Sequence, residues 1–304
     1  MNRKFMEKNS RREFVRQAGA AVAMLLGRSA AFSAEDRAVR PIMLFEKPLQ
    51  FLDYREQAET LAEIGFDGIE ATVRKGGHIP PERAVDELPA CVEALRAHGL
   101  AIHAMATGID GANGPHTEAL LRTAAGLGIK RYRLAGAGYD RQQSILKQLD
   151  ELRRRWRDLA ALNRELGITG MYQNHAGSKN IGGQIWDLHH LLRDIAPDDL
   201  GVAYDIRHAM VEGTSAWPVS WRLIRPWIRA YYVKDFKFDG VRAQNVPMGS
   251  GVVGKTFYNE LKRLDSVNPV SLHVPHLKAV NRTNLKESLG AIRRDFQVLR
   301  SLLK

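Results

Sequence analysis

The sequence contains very little cysteine and no long apolar run. Cys91 is the one cysteine among 304 residues, so the chain cannot form an internal disulfide. After residue 34, no stretch approaches the roughly 20 apolar residues that a membrane-spanning helix needs. The first candidate strand is followed by EKPLQFLDY, which lacks the glycine-rich turn of dinucleotide-binding folds. These absences exclude a disulfide scaffold and argue against a membrane protein and a nucleotide-binding open sheet.

The charge of the chain is basic but has no concentrated patch beyond its start. The formal net charge is +11, and residues 1–33 contain seven Lys or Arg against two Asp or Glu. The rest of the chain is therefore only mildly basic, whereas a nucleic-acid-binding protein shows a clustered basic face. Apolar content of 44% and charged content of 26% are typical of a soluble globular protein. We expect no nucleic-acid partner.

Residues 1–34 have the anatomy of an export signal. A basic start is followed by a short apolar run at 18–26 and by small residues such as Ala31. The pair Arg11 and Arg12 resembles the twin-arginine signal of bacteria. The alternative is a short amphipathic helix. We expect a twin-arginine signal peptide and a periplasmic mature protein that does not contact the membrane.

The remaining chain, 38–304, alternates short β-branched or apolar runs with longer segments of helical period. The candidate strands are 42–45, 68–72, 101–107, 131–135, 170–174, 201–205, 230–234 and 270–274. The candidate helices are about 54–64, 82–98, 116–127, 142–166, 185–195, 216–228, 255–265 and 282–302. This alternation matches an α/β fold of the (β/α)8 TIM barrel type, whereas the main competitor, a doubly wound sheet, usually has fewer units. We expect a single TIM-barrel domain.

Polar side chains stand near the carboxyl ends of all the candidate strands. The most prominent are Glu46, Lys47, Glu70, Arg74, His78, His103, Thr107, Arg133, Gln173, Asn174, His175, Asp205, Arg207, His208, Glu212, Lys234, Asp235, His273 and His276. In a TIM barrel the active site lies at this end. Each residue has an ordinary alternative, and the spacing of Asp205 and His208 is also that of a helix N-cap. Together they predict a site, because burying so many polar groups without a purpose is costly.

Six motifs follow one another along the chain: GFDGIEATVRKGGHIPPERAVDELP, YQNHAG, WDL, YDIRHAMVEG, KDF and NVPMGSGVV. In this order they resemble those of sugar isomerase/epimerase-like proteins with a xylose isomerase-like barrel, many of which carry twin-arginine signals. The resemblance extends from about residue 41 to about residue 277. It implies a divalent metal, often manganese, held by side chains from strands five to eight. In such enzymes the metal polarises a sugar carbonyl or hydroxyl while an acid/base residue moves a proton on the adjacent carbon.

The chain departs from that family pattern at the implied metal ligands. Gln173 stands where strand five usually brings Glu, Asp205 matches the Asp of strand six, and Tyr232 stands where strand seven often brings His. A carboxamide offers only a neutral oxygen. Gln173 and Asp205 alone would therefore give a divalent ion one formal negative charge.

The last strand carries a further departure in NPVSLHVPHLK, residues 268–278. Pro275 stands where close relatives have a Glu ligand. Either His273 or His276 could replace that carboxylate, since imidazole suits zinc and similar ions. We expect one divalent ion such as Mn or Zn near Gln173, Asp205 and His273, or else a weak or absent metal.

The remaining strand-end residues are assigned from the resemblance and from their chemistry. The expected catalytic residues are His208, Lys234, His175 and Glu70. The expected substrate-binding residues are Arg74, His78, His103, Arg133 and Arg207. Lys234 serves as a base only if burial lowers its pKa, and it more naturally stays charged to stabilise an oxyanion.

These observations predict a periplasmic isomerase, epimerase or carbon–oxygen lyase that transfers a proton next to a carbonyl of a sugar or keto-sugar. The expected partner is a small-molecule carbohydrate. One alternative is a barrel that binds a carbohydrate without turnover, which the missing strand-eight carboxylate favours. A second is an apurinic-site endonuclease, which shares this barrel but needs metal-binding His and Glu residues that the sequence lacks.

Overall fold

The computed structural model describes residues 40–304, in which parallel strands close into a barrel in the order β1-β10-β7-β6-β5-β4-β3-β2. The export signal expected at 1–34 lies outside these residues. The barrel strands are β1 Ile42–Phe45, β2 Gly68–Val73, β3 Ala101–Thr107, β4 Arg131–Arg133, β5 Thr169–Gln173, β6 Leu200–Asp205, β7 Ile228–Val233 and β10 Val270–Leu272. A separate antiparallel hairpin is formed by β8 Asp235–Asp239 and β9 Arg242–Val246.

The helices alternate with these strands, as a TIM barrel requires. They are α1 Tyr54–Ile64, α2 Ala84–Arg96, α3 Thr117–Gly126, α4 Ile145–Leu166, α5 Ile185–Leu192, α6 Ile206–Gly213, α7 Trp217–Ile224, α8 Lys255–Lys262 and α9 Leu285–Leu303. Short 3-10 helices occupy Lys47–Leu49, Pro81–Arg83, Thr214–Ala216 and Arg225–Trp227. Within residues 40–304, no helix is long and apolar enough to cross a membrane.

The predicted barrel is confirmed, with strand bounds close to the predicted ones. Two helix ends show why the prediction succeeds. Gly65 follows α1 with φ of 101°, and Gly167 follows α4 with φ of 62°. Both angles lie in the left-handed region, which glycine enters without a steric cost and which reverses the chain toward the next strand.

The hairpin β8–β9 and the helix α6 were not predicted. The hairpin sequence DFKFDGVRAQNV contains Asp239 and Gly240 at its turn, and an Asp-Gly pair between such strands is a hairpin signal. Helix α6 follows β6 directly because the Asp205 carboxylate accepts a hydrogen bond from the backbone N–H of His208 at 3.2 Å. Its start is therefore fixed by the same aspartate that faces the barrel mouth.

The interior of the barrel is filled by a small group of apolar side chains. Met43, Ala104, Met171, Ala203 and Ala230 lie in this group, beneath Tyr232. A second and larger core lies between the outer face of the strands and the helices. Since the lower interior is apolar, the polar inward-facing residues are confined to the carboxyl ends of the strands.

The loop at 247–254 anchors the β8–β9 hairpin to the barrel. The buried Asp235 carboxylate accepts hydrogen bonds from the backbone N–H groups of Gly249, Gly251 and Val253, at 3.0, 2.8 and 3.1 Å. Arg207, in the first turn of α6, donates to the carbonyl of Ala243 in β9 at 3.3 Å and so ties the hairpin to the helix that follows Asp205. The hairpin is thereby held beside the mouth.

Candidate active site

Glu70 lies at the centre of the barrel mouth and is completely buried. Its Oε1 accepts hydrogen bonds from Tyr232 Oη at 2.6 Å and Arg133 Nε at 3.0 Å. Its Oε2 accepts from Ser271 Oγ at 2.8 Å and His273 Nε2 at 3.1 Å. Burial alone raises the pKa of Glu70, but Arg133 and His273 outweigh it and bring the pKa to about 2. Glu70 is therefore a permanently charged anchor for four side chains from three other strands.

A continuous series of hydrogen bonds joins Glu70 to a second buried carboxylate. Arg133 Nη1 donates to Gln173 Oε1 at 2.7 Å, and Gln173 Nε2 donates to Asp205 Oδ2 at 2.7 Å. Lys234 Nζ donates to the same Asp205 oxygen at 2.6 Å. We call Glu70, Arg133, Gln173, Asp205 and Lys234 the charged chain. Two carboxylates and two cations alternate along it, with a neutral amide between the pairs.

Both ends of the Asp205–Lys234 pair are buried. Burial works against ionisation of Asp205, whereas His208 and Lys234 favour it and hold its pKa below the ordinary value. Burial lowers the pKa of Lys234, and the adjacent Asp205 carboxylate opposes that effect. The pair is thus a close ion pair in which the ammonium keeps two N–H donors beyond the one directed at Asp205.

His208 and His175 stack on each other beside Asp205, with ring centroids 3.8 Å apart. Arg207 Nη1 lies 3.1 Å from His208 Nδ1, and since a guanidinium only donates, that nitrogen carries no proton. His208 Nε2 then carries the proton and lies 3.7 Å from Asp205 Oδ2. Burial lowers the pKa of His208 to about 2, so the ring is neutral. Its lone pair is occupied by Arg207, and it is not free to accept a proton.

His175 is the more open of the two stacked imidazoles. Its Nδ1 lies 3.0 Å from the carbonyl oxygen of Ala176 and 3.2 Å from the side-chain amide nitrogen of Asn180, and these two contacts favour opposite tautomers. Burial is the main cause that lowers the pKa of His175, and its neighbours make smaller contributions in both directions. The ring is therefore neutral near pH 7. In the tautomer that donates from Nδ1 to Ala176, Nε2 presents a lone pair. His175, Gln173 and Arg133 line one pocket of about 240 Å³.

The aromatic ring of Phe45 lies on the β1 side of the mouth. It stacks on the His273 ring at 4.6 Å, and the guanidinium of Arg133 lies 5.3 Å from its centroid. The guanidinium of Arg74 lies 5.8 Å from the same centroid. The sequence did not single out Phe45, although it is the last residue of β1. Ser271, on β10, was missed in the same way, and Tyr232 was read only as a lost metal ligand.

His78 is placed next to Glu46 rather than next to the charged chain. Its Nδ1 lies 3.2 Å from Glu46 Oε2, and its ring lies 4.7 Å from the ring of Tyr54. Glu46 also accepts a hydrogen bond from Thr72 Oγ1 at 2.9 Å. These residues brace the ends of β1 and β2 against α1.

His103 does not lie at the mouth, which corrects the expectation that it joins the substrate-binding residues. Its Nε2 lies 3.0 Å from the backbone oxygen of Asp67, which precedes β2 and so lies at the opposite end of the barrel. His103 lies within an irregularity between β2 and β3, where Ile69 pairs with Ile102 and Glu70 pairs with Ala104. His103 has no partner residue in that register and points away from the interior.

His276 also faces away from the charged chain. Its Nε2 lies 3.5 Å from Asp295 Oδ2 on helix α9. Pro275, just before it, is exposed. His273, in contrast, points into the barrel as expected, but its Nε2 is engaged by Glu70. Neither imidazole joins Gln173 and Asp205 in a set of ligands.

The charged chain does not fit a divalent metal ion. Across the part of the chain that the structure describes, no group of three His, Cys, Asp or Glu side chains is arranged to hold one. The Gln173 oxygen is directed at a guanidinium, and the Asp205 oxygen is directed at the ammonium of Lys234. The arrangement therefore does not support the expected ligand set of Gln173, Asp205 and His273. Two basic side chains occupy the neighbourhood in which a cation would be needed.

Solved structures of low sequence identity share this fold. The chain is similar to 3-keto-D-glucoside 4-epimerase from E. coli in its apo form, with 17% identity, a TM-score of 0.64, and coverage of 86% of this chain and 99% of that chain. It is similar to the probable 3-DHS dehydratase of petrobactin synthesis from Bacillus anthracis, with 14% identity, a TM-score of 0.64, and coverage of 86% and 98%. A xylose isomerase-like TIM barrel protein from Mycobacterium smegmatis in complex with magnesium has 16% identity, a TM-score of 0.63, and coverage of 87% and 98%.

Comparison with curated protein sequences gives no match. The xylose isomerase-like TIM barrel family matches residues 58–302, which is most of the chain. The match begins in α1 and ends in α9, so it includes every residue of the charged chain. The chain therefore belongs to the xylose isomerase-like TIM barrel family.

Proposed function

We propose that this protein is an isomerase, epimerase or lyase that moves a proton on a carbon next to the carbonyl of a sugar or keto-sugar. The observation that carries the proposal is the charged chain, which places the Arg133 guanidinium in one pocket with the neutral imidazole of His175 and brings the buried ammonium of Lys234 close enough to interact electrostatically with that imidazole. Proton abstraction next to a carbonyl needs a base on one side and donors for the enolate oxygen on the other. Similarity to an epimerase and a dehydratase supports the same class of reaction.

Lys234 is the proposed donor to the enolate oxygen. Its ammonium is fixed by Asp205 at 2.6 Å, and Asp205 is in turn fixed by Gln173 at 2.7 Å. A donor held in place before the reaction needs no reorganisation when negative charge develops on the carbonyl oxygen. The lysine lies in a site shielded from water, where such a charge interaction is strong.

His175 is the proposed base. His208 cannot act as the base, because Arg207 donates to its Nδ1 lone pair and its Nε2 already carries a proton. Glu70 is surrounded by four donors, and a pKa of about 2 makes it a weak base at neutral pH. Among residues 40–304, no group forms a hydrogen bond with His175 Nε2, and the His175 ring lines the same pocket as Gln173 and Arg133. In the tautomer with the proton on Nδ1, this nitrogen can take a proton from the substrate. Glu70 and His208 therefore position neighbouring side chains, Lys234 donates to the enolate oxygen, and His175 moves the proton.

This proposal assigns no step to a metal ion. In family members with a metal, a divalent cation polarises the substrate oxygen. Here the ammonium of Lys234 sits on the one aspartate that matches the family ligand pattern, Asp205. Placing a divalent ion against Asp205 would set it beside Lys234 and Arg133, and like charges at such distances repel strongly. The lysine supplies the positive charge from the protein itself.

Exchange of substrate hydrogen with solvent tests the proposal. Keto-sugars such as a 3-keto-D-glucoside, D-fructose and 5-keto-D-gluconate are incubated with the protein in D2O, and incorporation next to the carbonyl is followed by NMR. His175→Gln should lower the exchange rate by about a hundredfold or more. The matched control is His98→Gln, which lies in the loop between α2 and β3, at the opposite end of the barrel. Equal exchange in the two variants would refute the assignment of His175.

A second function, binding of a carbohydrate without turnover, is favoured by one observation. The carboxylates of the charged chain are both neutralised by cations, so neither is available as a base. In that case the same sugars would protect the protein from thermal unfolding without any incorporation of deuterium.

We also propose that the protein acts in the periplasm after export by the twin-arginine route, on the support of Arg11, Arg12 and the apolar run that follows them.

A further inference from the structure

Arg74 is a half-buried cation without a counter-ion. Among residues 40–304, no side chain or backbone group accepts a hydrogen bond from its guanidinium, and no carboxylate forms an ion pair with it. Its one contact of note is the face of Phe45, at 5.8 Å. The other cations at the mouth are engaged differently: Lys234 is paired with Asp205, and Arg133 with Glu70.

Arg133 also has donors to spare on this side of the mouth. Its Nε and Nη1 donate to Glu70 and Gln173, whereas its Nη2 makes no hydrogen bond within the part of the chain that the structure describes. The Arg133 guanidinium lies 5.3 Å from the centroid of the Phe45 ring that Arg74 also contacts. Two guanidiniums with unused N–H groups therefore border one aromatic ring.

Such an arrangement is unfavourable in the free protein. Burial lowers the pKa of Arg74, and repulsion by Arg133 lowers it further, with only partial compensation from Glu70 and Glu46. A partly buried cation with no carboxylate in direct contact recovers only part of its desolvation cost. An anion that bridges the guanidiniums would remove that imbalance, and the planar fork of arginine matches a carboxylate or a phosphate in two parallel hydrogen bonds.

We propose that Arg74, together with the free edge of Arg133, binds an anionic group of the substrate, so that the ligand is a sugar acid or a sugar phosphate. This inference rests on the proposed function only in calling the ligand a substrate. The anionic group would be held next to the charged chain, because Arg133 is itself bonded to Gln173. The carbonyl end of the same molecule then lies toward Lys234 and His175.

Calorimetric titration with matched sugars tests the proposal without requiring turnover. The probes are D-fructose, which is neutral, 5-keto-D-gluconate, which carries a carboxylate, and D-fructose 6-phosphate. Wild-type protein is compared with Arg74→Gln, and the matched control is Arg96→Gln, an exposed arginine at the far end of α2. Both variants lose the same formal charge, so a general electrostatic effect would appear in both.

We expect at least one anionic probe to bind the wild type about tenfold or more tightly than D-fructose, and Arg74→Gln to abolish that preference while Arg96→Gln retains it. Preference for 5-keto-D-gluconate would identify a sugar acid, and preference for D-fructose 6-phosphate a sugar phosphate. The proposal is overturned if neither anion binds more tightly than D-fructose, or if the two variants behave alike. Absence of deuterium exchange would count against the proposed function and leave this result intact.

Discussion

At the scale of single residues, the mouth of the barrel is governed by charge compensation. Glu70 and Asp205 are fully buried carboxylates, and each is held by a basic side chain at 3.0 and 2.6 Å. Removing one partner of a buried ion pair lowers the free energy of unfolding by far more than the intact pair contributes, because the other charge stays buried without compensation. The properties of each carboxylate therefore depend on neighbours from distant parts of the chain.

Glu70→Gln tests this dependence. We expect the free energy of unfolding to fall by about 3 kcal/mol near neutral pH, since Arg133 loses its counter-charge. The pKa of Glu70 is lowered from 4.5 to about 2, so the stability it contributes is present above 4.5 and is lost as the pH falls toward 2. The deficit of the variant should shrink over that interval in urea unfolding experiments.

The control for this substitution is Glu118→Gln. Glu118 is exposed and pairs with Arg122 on the same helix at 2.8 Å, so the same change of side chain should cost less than about 0.5 kcal/mol. A loss for Glu70→Gln as small as that of the control, or a loss that does not change with pH, would show that Glu70 is not the charged anchor described above.

At the scale of elements, the loop at 247–254 holds the β8–β9 hairpin by enclosing one carboxylate. Gly251 donates to Asp235 at 2.8 Å, and a methyl group at this position would overlap the backbone of Phe236 and the Asp235 side chain. Gly254, three residues later, has no such neighbour: the nearest atom to an added methyl group is the Val252 oxygen at 3.8 Å. The two glycines thus differ in packing although they share one loop.

We expect Gly251→Ala to lower the free energy of unfolding by about 2 kcal/mol or more, because the overlap is with backbone and a buried acceptor that cannot move freely. Gly254→Ala should change it by less than about 0.5 kcal/mol, since φ of −87° suits alanine. Thermal unfolding of both variants measures the difference. Equal melting temperatures for the two variants would show that the loop rearranges to accommodate a methyl group at position 251, contrary to this prediction.

The elements also show what the sequence could and could not predict. The bounds of α1 coincide with the prediction because Asp53 caps its start, accepting from Glu56 N at 2.8 Å, and Gly65 ends it. These are local signals. The pairing of Glu70 with Ser271 and His273 joins residues about two hundred positions apart, and no local pattern encodes it. The strand ends were therefore predictable, whereas the partners of each polar side chain were not.

At the scale of the whole molecule, the expected export signal can be tested independently of the barrel. Replacing Arg11 and Arg12 by lysines should leave the precursor in the cytoplasm, because the twin-arginine route recognises the arginine pair itself. Cell fractionation and immunoblotting of precursor and mature forms measure the outcome. Normal accumulation of the double variant in the periplasm would contradict the proposed route and would not affect the account of the barrel.

The central claim is that the ammonium of Lys234 provides the positive charge that metal-dependent relatives take from a divalent ion. Its most direct test is the rate of deuterium incorporation into a keto-sugar substrate before and after dialysis against a chelator. We expect the chelated wild type to keep its full rate, added Mn²⁺ to give no increase, and Lys234→Met to lose about a hundredfold or more. Loss of exchange on chelation, with recovery on addition of Mn²⁺ or Zn²⁺, would contradict the claim.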